Sequence, residues 1–192
     1  MQSAYSPRDC IPLQPNLRIE RPEQPPELVH LHDSAMLVLT DFSRVYPVTT
    51  TVDRSIEHAL QTMKNAGVRL LIVIDSHQRM IGLISADRIM GDEPIRLAEE
   101  NQLDHSEITV SMLMQPQQAI RVLELNHLRD ARVGHIVATL HELEENYVLV
   151  VDHGIVRGLF SSSQISKQLG RSILEDELPA HSLAEMVHTI GK

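Results

Sequence analysis

Residues 70–85 read LLIVIDSHQRMIGLIS, and a matching pattern returns at residues 147–161, which read YVLVVDHGIVRGLFS. Each segment begins with a continuous apolar run that ends in aspartate, and such a run favours a short strand buried on both faces. Turn-forming residues follow each aspartate, and the return strands are expected over residues 80–85 and 156–161. The sequence therefore predicts the same β-hairpin twice.

An amphipathic helix is predicted ahead of each hairpin, because apolar residues recur there at i, i+3, i+4 and i+7. Asp53 and Asp130 precede the two helices at the same offset of 77 residues, and we predict that they are the N-caps. The apolar stripes consist of Ile56, Ala59, Leu60 and Met63 in the first copy, and of Val133, Ile136, Val137 and Leu140 in the second.

A serine after each return strand opens a second helix, predicted over residues 86–90 and 162–169, with Gly170 as the C-terminal stop. Short strands are predicted upstream of the first helices, over residues 48–51 and 120–125. Each unit is therefore β-α-β-β-α, and the fold class is α+β with two such units.

The flanking segments complete the predicted domain organisation. Prolines through residues 1–33 predict an extended N-terminal arm. Pro94 can start a short helix in the linker, and Ser182 with Glu185 predicts a short amphipathic helix in the tail. The predicted divisions are an arm over 1–33, a first motif over 34–91, a linker over 92–108, a second motif over 109–170 and a tail over 171–192.

The composition narrows the class of function. The net charge is −9, and aromatic residues make up 3% of the chain with no Trp, so we expect no nucleic-acid partner. The longest apolar runs are a handful of residues, whereas a bilayer span takes about 20, and no secretory signal is visible. Cys10 is the only cysteine, which favours a reducing compartment. We therefore expect a cytoplasmic protein with no membrane partner.

The segments GVRLLIVID at residues 67–75 and GLISADRIM at residues 82–90 resemble the core of a CBS motif, which is named after cystathionine β-synthase. Together with the second copy, residues 34–170 resemble a tandem CBS pair, or Bateman module. This resemblance implies two βαββα units related by a pseudo-twofold axis. It also implies clefts between the sheets that often take adenosyl compounds, and a regulatory rather than a catalytic protein.

In nucleotide-binding CBS pairs, the return strand ends in Ser or Thr, followed three positions later by an Asp that holds the ribose hydroxyls. Ser85 matches the first position, but Arg88 stands at the carboxylate position, and Asp87 comes one residue early. One residue on a helix is a rotation of about 100°, so we expect Asp87 to point elsewhere. Ser161 also matches, and the corresponding third position holds the neutral Gln164.

These residues also have structural interpretations. Ser161 with Gln164 fits a helix capping box. Arg88 can grip a phosphate, lie in solvent, or form an ion pair across a dimer interface. The predicted ligand-binding set is Val48, Thr50, Ile72, Ser85, Asp87, Arg88, Leu149, Ser161 and Gln164.

Other chemistry-bearing patterns are weak. His30, His32 and Asp33 superficially resemble a metal-ligand set, but eleven histidines are scattered through the chain, and surface roles are expected for them. The sequence has neither a nucleophile elbow nor a phosphate-binding loop that ends in Lys-Ser or Lys-Thr. We therefore expect no catalytic residues, no bound metal, no required cofactor and no enzymatic activity.

Two functions stay open at this point. The first is a regulatory module that senses AMP, ADP, ATP or S-adenosylmethionine and signals to a protein partner. The alternative is a ligand-free dimerisation or scaffold module, which is motivated by the missing aspartate in both copies. A homodimer is expected in either case, because apolar helices in CBS pairs usually face another copy and the helix stripes supply such a surface.

Overall fold

The computed structural model describes residues 26–170 and Ile173. The predicted tail helix and most of the predicted N-terminal arm lie outside these residues. The strands are β1 Thr40–Asp41, β2 Thr49–Thr51, β3 Leu70–Ile74, β4 Met80–Ser85, β5 Gln115–Pro116, β6 Val122–Glu124, β7 Tyr147–Asp152 and β8 Ile155–Ser161. The α-helices are α1 Ile56–Ala66, α2 Ala86–Met90, α3 Glu93–Asn101, α4 Val110–Leu113, α5 Val133–Leu143 and α6 Ser162–Leu169, and short 3-10 helices include Ala35–Val38 and Leu125–Leu128.

Two four-stranded sheets have the same topology. Their strand orders are β2-β3-β4-β5 and β6-β7-β8-β1. The pairs β2–β3 and β6–β7 are parallel, and the two hairpins are antiparallel. The register shifts at matching places, between Val73 and Ile74 and between Val150 and Val151. The predicted α+β fold with two βαββα units is confirmed.

Each sheet is completed by a short strand that precedes the other unit in the chain. Strand β1 pairs with β8, and β5 pairs with β4. Each of the predicted motifs, 34–91 and 109–170, therefore contributes an edge strand to its neighbour's sheet. Two glycines permit this exchange: a Cβ on Gly82 would lie 2.7 Å from the Gln115 carbonyl oxygen, and one on Gly158 would lie 2.4 Å from that of Thr40.

Asp41 anchors the crossing strand β1 to the second sheet. Its Oδ1 accepts a hydrogen bond from the Ser43 N–H at 2.8 Å and lies 3.4 Å from Nε of Arg157. Partial burial alone would raise the pKa of Asp41, but the Ser43 hydrogen bonds and the Arg157 charge outweigh it and lower the pKa below its usual value. The carboxylate therefore stabilises the exchanged edge while it is ionised.

The predicted helix stripes lie inside the chain's own cores. In the first stripe Ile56, Ala59 and Met63 are buried and Leu60 is half-buried, and all four residues of the second stripe are buried. A third apolar cluster, centred on Leu70, Ile72, Leu83 and Leu149, joins the two sheets. The stripes are therefore not the exposed surface on which the homodimer prediction was based.

The predicted N-caps Asp53 and Asp130 are wrong. A turn delays the first helix, so that the Ser55 hydroxyl caps it by accepting from the His58 N–H at 3.2 Å. The Asp53 carboxylate instead accepts from the Thr51 hydroxyl at 2.5 Å. The second helix begins after Arg132, two residues beyond Asp130, and His135 Nδ1 accepts from the Arg132 N–H at 2.9 Å.

The linker is ordered as predicted around a proline-initiated helix, α3, which carries Pro94 in its first turn and continues to Asn101. Among the helices that the structure describes, none has the length and apolar character needed to cross a bilayer.

Candidate functional site

A cleft of about 530 Å³ opens between the two halves of the molecule. The apolar floor includes Leu70 and Ile72 of β3 and Leu159 of β8. One wall is the loop from Phe42 to Val48 that connects the exchanged strand β1 to β2. Ser163, Gln164 and Lys167 of α6 also line the cleft. Because the exchange of β1 brings this loop beside α6, the cleft is a product of the sheet topology.

The structure brings some of the predicted ligand residues together and separates others. Val48, Ile72, Ser161 and Gln164 line the cleft, whereas Ser85, Asp87 and Arg88 lie outside it. Thr50 and Leu149 are buried in the sheets, with 8% and 1% of their surface exposed.

Two cations line the cleft, Arg69 at the start of β3 and Lys167 on α6. No Asp or Glu within residues 26–170 belongs to the lining. Tyr147 also faces the cleft, and burial, together with the nearby Asp87 charge, raises its pKa to about 12, although a hydrogen bond with Ser85 works in the opposite direction. The Tyr147 phenol therefore stays neutral. Arg69 and Lys167 are the charged side chains among the described lining residues, and both are positive.

Asp87 connects the two halves behind this cleft. Its Oδ1 accepts from the Arg69 guanidinium, and its Oδ2 accepts from Asn146 Nδ2 at 3.0 Å and from the Tyr147 hydroxyl at 3.3 Å. These groups line a smaller adjoining pocket of about 370 Å³. Asp87 therefore holds protein side chains, consistent with its offset from the family's carboxylate position.

Arg88 forms an ion pair within its own unit. Its Nε and Nη2 lie 2.7 Å and 3.0 Å from the two carboxylate oxygens of Glu93. The hydrogen bond from Arg88, which outweighs the effect of burial, lowers the pKa of Glu93. The ion pair engages two of the five N–H donors of the guanidinium within its own unit, so a phosphate grip or a pair across a dimer interface stays a prediction.

The two serines that open the second helices behave differently. Ser85 caps α2, since its Oγ accepts from the Arg88 N–H at 3.2 Å. Ser161 makes no such bond to α6, and its Oγ lies 2.9 Å from the Ser163 hydroxyl. The predicted capping box of Ser161 and Gln164 is therefore wrong, and the side chains of both residues face the cleft.

In the region of the other half that corresponds to this cleft, side chains form hydrogen bonds with other groups of the protein. Gln115 Nε2 lies 3.3 Å from Glu145 Oε1 and 3.4 Å from the Ala119 carbonyl oxygen. Arg121 donates to the Leu143 carbonyl at 3.4 Å. Glu145 occupies the place that Val68 has in the first copy, 77 residues earlier. Among the described residues, the two halves therefore share a topology, but equivalent positions carry different side chains.

The polar residues of this region that were missed from the sequence include Arg69, Asn146, Tyr147, Ser163 and Lys167. Arg69 and Asn146 stand 77 positions apart, directly before the central strands, so the repeat itself carried a signal for them. The repeat gave no such signal for Lys167, because the equivalent residue in the first copy is Gly91.

The histidine cluster at the start of the described chain forms a turn. The His30 N–H donates to Asp33 Oδ2 at 2.8 Å, and His30 Nδ1 lies 3.5 Å from the same oxygen. Within the part of the chain that the structure describes, no three His, Cys, Asp or Glu side chains are grouped as metal ligands.

Comparison with known proteins identifies the fold. Residues 39–92 match the family model described as CBS domain. No curated protein matches the chain in sequence. An uncharacterized conserved protein from Pyrococcus horikoshii has a similar structure, with a TM-score of 0.54 and 17% identity, covering 71% of this chain and 92% of that one.

Two further structures are similar. A CBS-domain containing protein from Agrobacterium tumefaciens has a TM-score of 0.50 and 18% identity, with coverage of 66% of this chain and 88% of that one. A Methanocaldococcus jannaschii protein, described as a candidate archaeal homolog of γ-AMPK, has a TM-score of 0.52 and 18% identity, with coverage of 71% and 49%. At these identities the likeness concerns the fold. The match over residues 39–92 and the paired topology together show that this chain contains a CBS domain and has the fold of a CBS-domain pair.

Proposed function

We propose that this chain is a non-catalytic regulatory protein that binds an adenine nucleotide or a related adenosyl ligand in the cleft between its halves. The observation that carries the proposal is the cleft itself. Its volume of about 530 Å³ lies within the range of about 300–1,000 Å³ typical of small-molecule sites. It combines an apolar floor with a few hydrogen-bonding groups, including Ser161 and Gln164.

The position of the cleft suggests how binding is passed on. Both halves contribute to the lining, so a bound ligand would contact β3 of one sheet and β8 of the other at the same time. The loop that forms the wall carries Tyr46, which is 98% exposed. A ligand that orders this loop changes the surface available to a protein partner, and we propose that the signal leaves the molecule there.

Thermal unfolding of the full chain with AMP, ADP, ATP and S-adenosylmethionine tests the proposal. A ligand at one hundred times its Kd stabilises the native state by about 2.7 kcal/mol, which for a chain of this size raises Tm by roughly 5–11 °C. A substitution that fills the cleft, Ser163→Trp, should abolish the shift. Ser76→Trp, on the exposed hairpin turn outside the lining, is the matched control and should retain it.

The absence of a shift with all four compounds would contradict the proposal. The ligand-free dimerisation or scaffold module would then be the better account. Its support in the structure is at the other half, where Ser85, Asp87 and Arg88 are engaged with protein groups.

A further inference from the structure

We infer that the cleft selects its ligand by negative charge, so that it binds phosphorylated adenine nucleotides and discriminates against neutral adenosine and cationic S-adenosylmethionine. This inference rests on the proposed function and names the ligand class of the same cleft. The observation behind it is that the charged side chains in the lining are Arg69 and Lys167, in a chain that has 26 acidic residues and 17 Lys and Arg.

Lys167 is the first of the two cations. It lies three residues after Gln164 on α6, so the two side chains share one face of the helix, and both line the cleft. None of the ion pairs within the described residues involves Lys167. Among the residues that the structure describes, no carboxylate therefore engages its ammonium group.

Arg69 is the second cation, and it is partly engaged. One terminal nitrogen, Nη2, donates to Asp87, which lies in the adjoining pocket rather than in the cleft. A guanidinium carries five N–H donors, so this bond leaves donors for an anionic ligand. Asp87 nevertheless reduces the positive potential at this end of the cleft. Because Asp87 is not a lining residue, its substitution changes that potential without replacing a residue of the cleft.

The neutral groups of the cleft do not oppose an anion. Ser161, Ser163 and Gln164 can all donate hydrogen bonds, whereas the Tyr147 hydroxyl already donates to Asp87. Adenosine offers no charge to the two cations, and S-adenosylmethionine brings a sulfonium and an ammonium group against one carboxylate. Desolvating that net positive ligand beside Lys167 is unfavourable, whereas a phosphate gains charge-assisted hydrogen bonds.

The experiment is calorimetric titration of the full chain with ATP, ADP, AMP, adenosine and S-adenosylmethionine at low and high salt. ATP should bind at least about tenfold more tightly than adenosine or S-adenosylmethionine, since one hydrogen bond to a charged group contributes enough for that ratio. Added salt should weaken ATP binding and leave adenosine binding nearly unchanged, because only the former depends on charge.

Three variants separate charge selection from a general effect on the fold. Lys167→Ala should weaken ATP binding by about tenfold without changing adenosine binding. Lys64→Ala removes the same charge from α1 outside the lining and should change neither. Asp87→Asn removes a negative charge next to Arg69 and should strengthen ATP binding.

The possible results are distinct. If adenosine or S-adenosylmethionine binds as tightly as ATP, and Ser163→Trp blocks that binding, charge selection is overturned while adenosyl sensing survives. Charge selection is also overturned if ATP binds but Lys167→Ala binds it equally well. If none of the five compounds binds, the proposed function and this inference fail together.

Discussion

Replacing Gly158 by alanine tests whether the exchange of edge strands holds the fold together. The new Cβ would lie 2.4 Å from the Thr40 carbonyl oxygen, and an ordinary contact requires a separation about 1 Å greater. Strand β1 must therefore move away from β8, which also strains the hydrogen bond from the Phe42 N–H to the Arg157 carbonyl at 2.9 Å. Steric strain should cost about 1–3 kcal/mol, and weakening the hydrogen bond should cost about 1 kcal/mol. We therefore expect Gly158→Ala to lower the free energy of unfolding by about 3 kcal/mol.

Urea denaturation followed by circular dichroism measures this loss, and the corresponding fall in Tm is roughly 6–12 °C. Gly154→Ala is the control, because Gly154 has a φ of +79° but no atom within 4 Å of the position of its Cβ. It should cost only about 1 kcal/mol, from the left-handed backbone alone. The reasoning is refuted if Gly158→Ala is no more destabilising than Gly154→Ala.

The remaining predictions concern pH, capping, stoichiometry and assembly. Because its folded-state pKa is lowered, Asp41 stabilises the fold above its usual pKa of 3.8, and that contribution is lost as the pH falls through the folded value. Asp41→Asn should therefore be less stable than the parent chain by about 1 kcal/mol at pH 7, and by less at pH 3, in urea titrations. Ser55→Ala should cost about 1 kcal/mol through loss of the α1 cap, and a larger effect from Asp53→Ala would contradict that assignment. Calorimetry should give one ATP site per chain, and two equal sites would contradict the difference between the halves. The homodimer stays a prediction from the resemblance to CBS pairs alone, since the helix stripes are buried, and light scattering that shows a monomer at micromolar concentration would exclude it.

The repeat made most of the fold predictable. Both hairpins, both second helices and the stop at Gly170 follow from local patterns, because strands buried on both faces and amphipathic helices have distinct periodicities. The N-cap predictions were wrong because a turn between the entry strand and the helix shifts the start of the helix by two residues. Asp53 has the right chemistry for a cap, but the turn places Ser55 at that point of the chain instead.

The exchange of edge strands and the true lining of the cleft could not be read from the sequence in the same way. Strands of two residues, such as β1 and β5, are too short to show a periodic pattern. The pairing of β1 also depends on Gly158, which lies more than a hundred residues away in the sequence. The predicted site followed the family's Ser-to-Asp spacing in both copies. In the structure, Ser161 and Gln164 line the cleft. Asp87 instead accepts a hydrogen bond from Asn146, and Arg88 pairs with Glu93.

The difference between the halves has a simple origin in equivalent positions that diverged. Lys167 corresponds to Gly91, and Glu145 corresponds to Val68, so the first cleft has a cation at one position where its counterpart has glycine, and the counterpart has an acid at another where the first cleft has valine. Glu145 then accepts a hydrogen bond from Gln115, which lies on the exchanged strand β5. A phosphate there would meet a carboxylate and would have to displace a protein hydrogen bond, and both effects oppose binding. The duplicated fold thus provides two similar scaffolds, and within the described residues the first cleft, which no carboxylate lines, suits an anionic ligand better than its counterpart, where Glu145 lies.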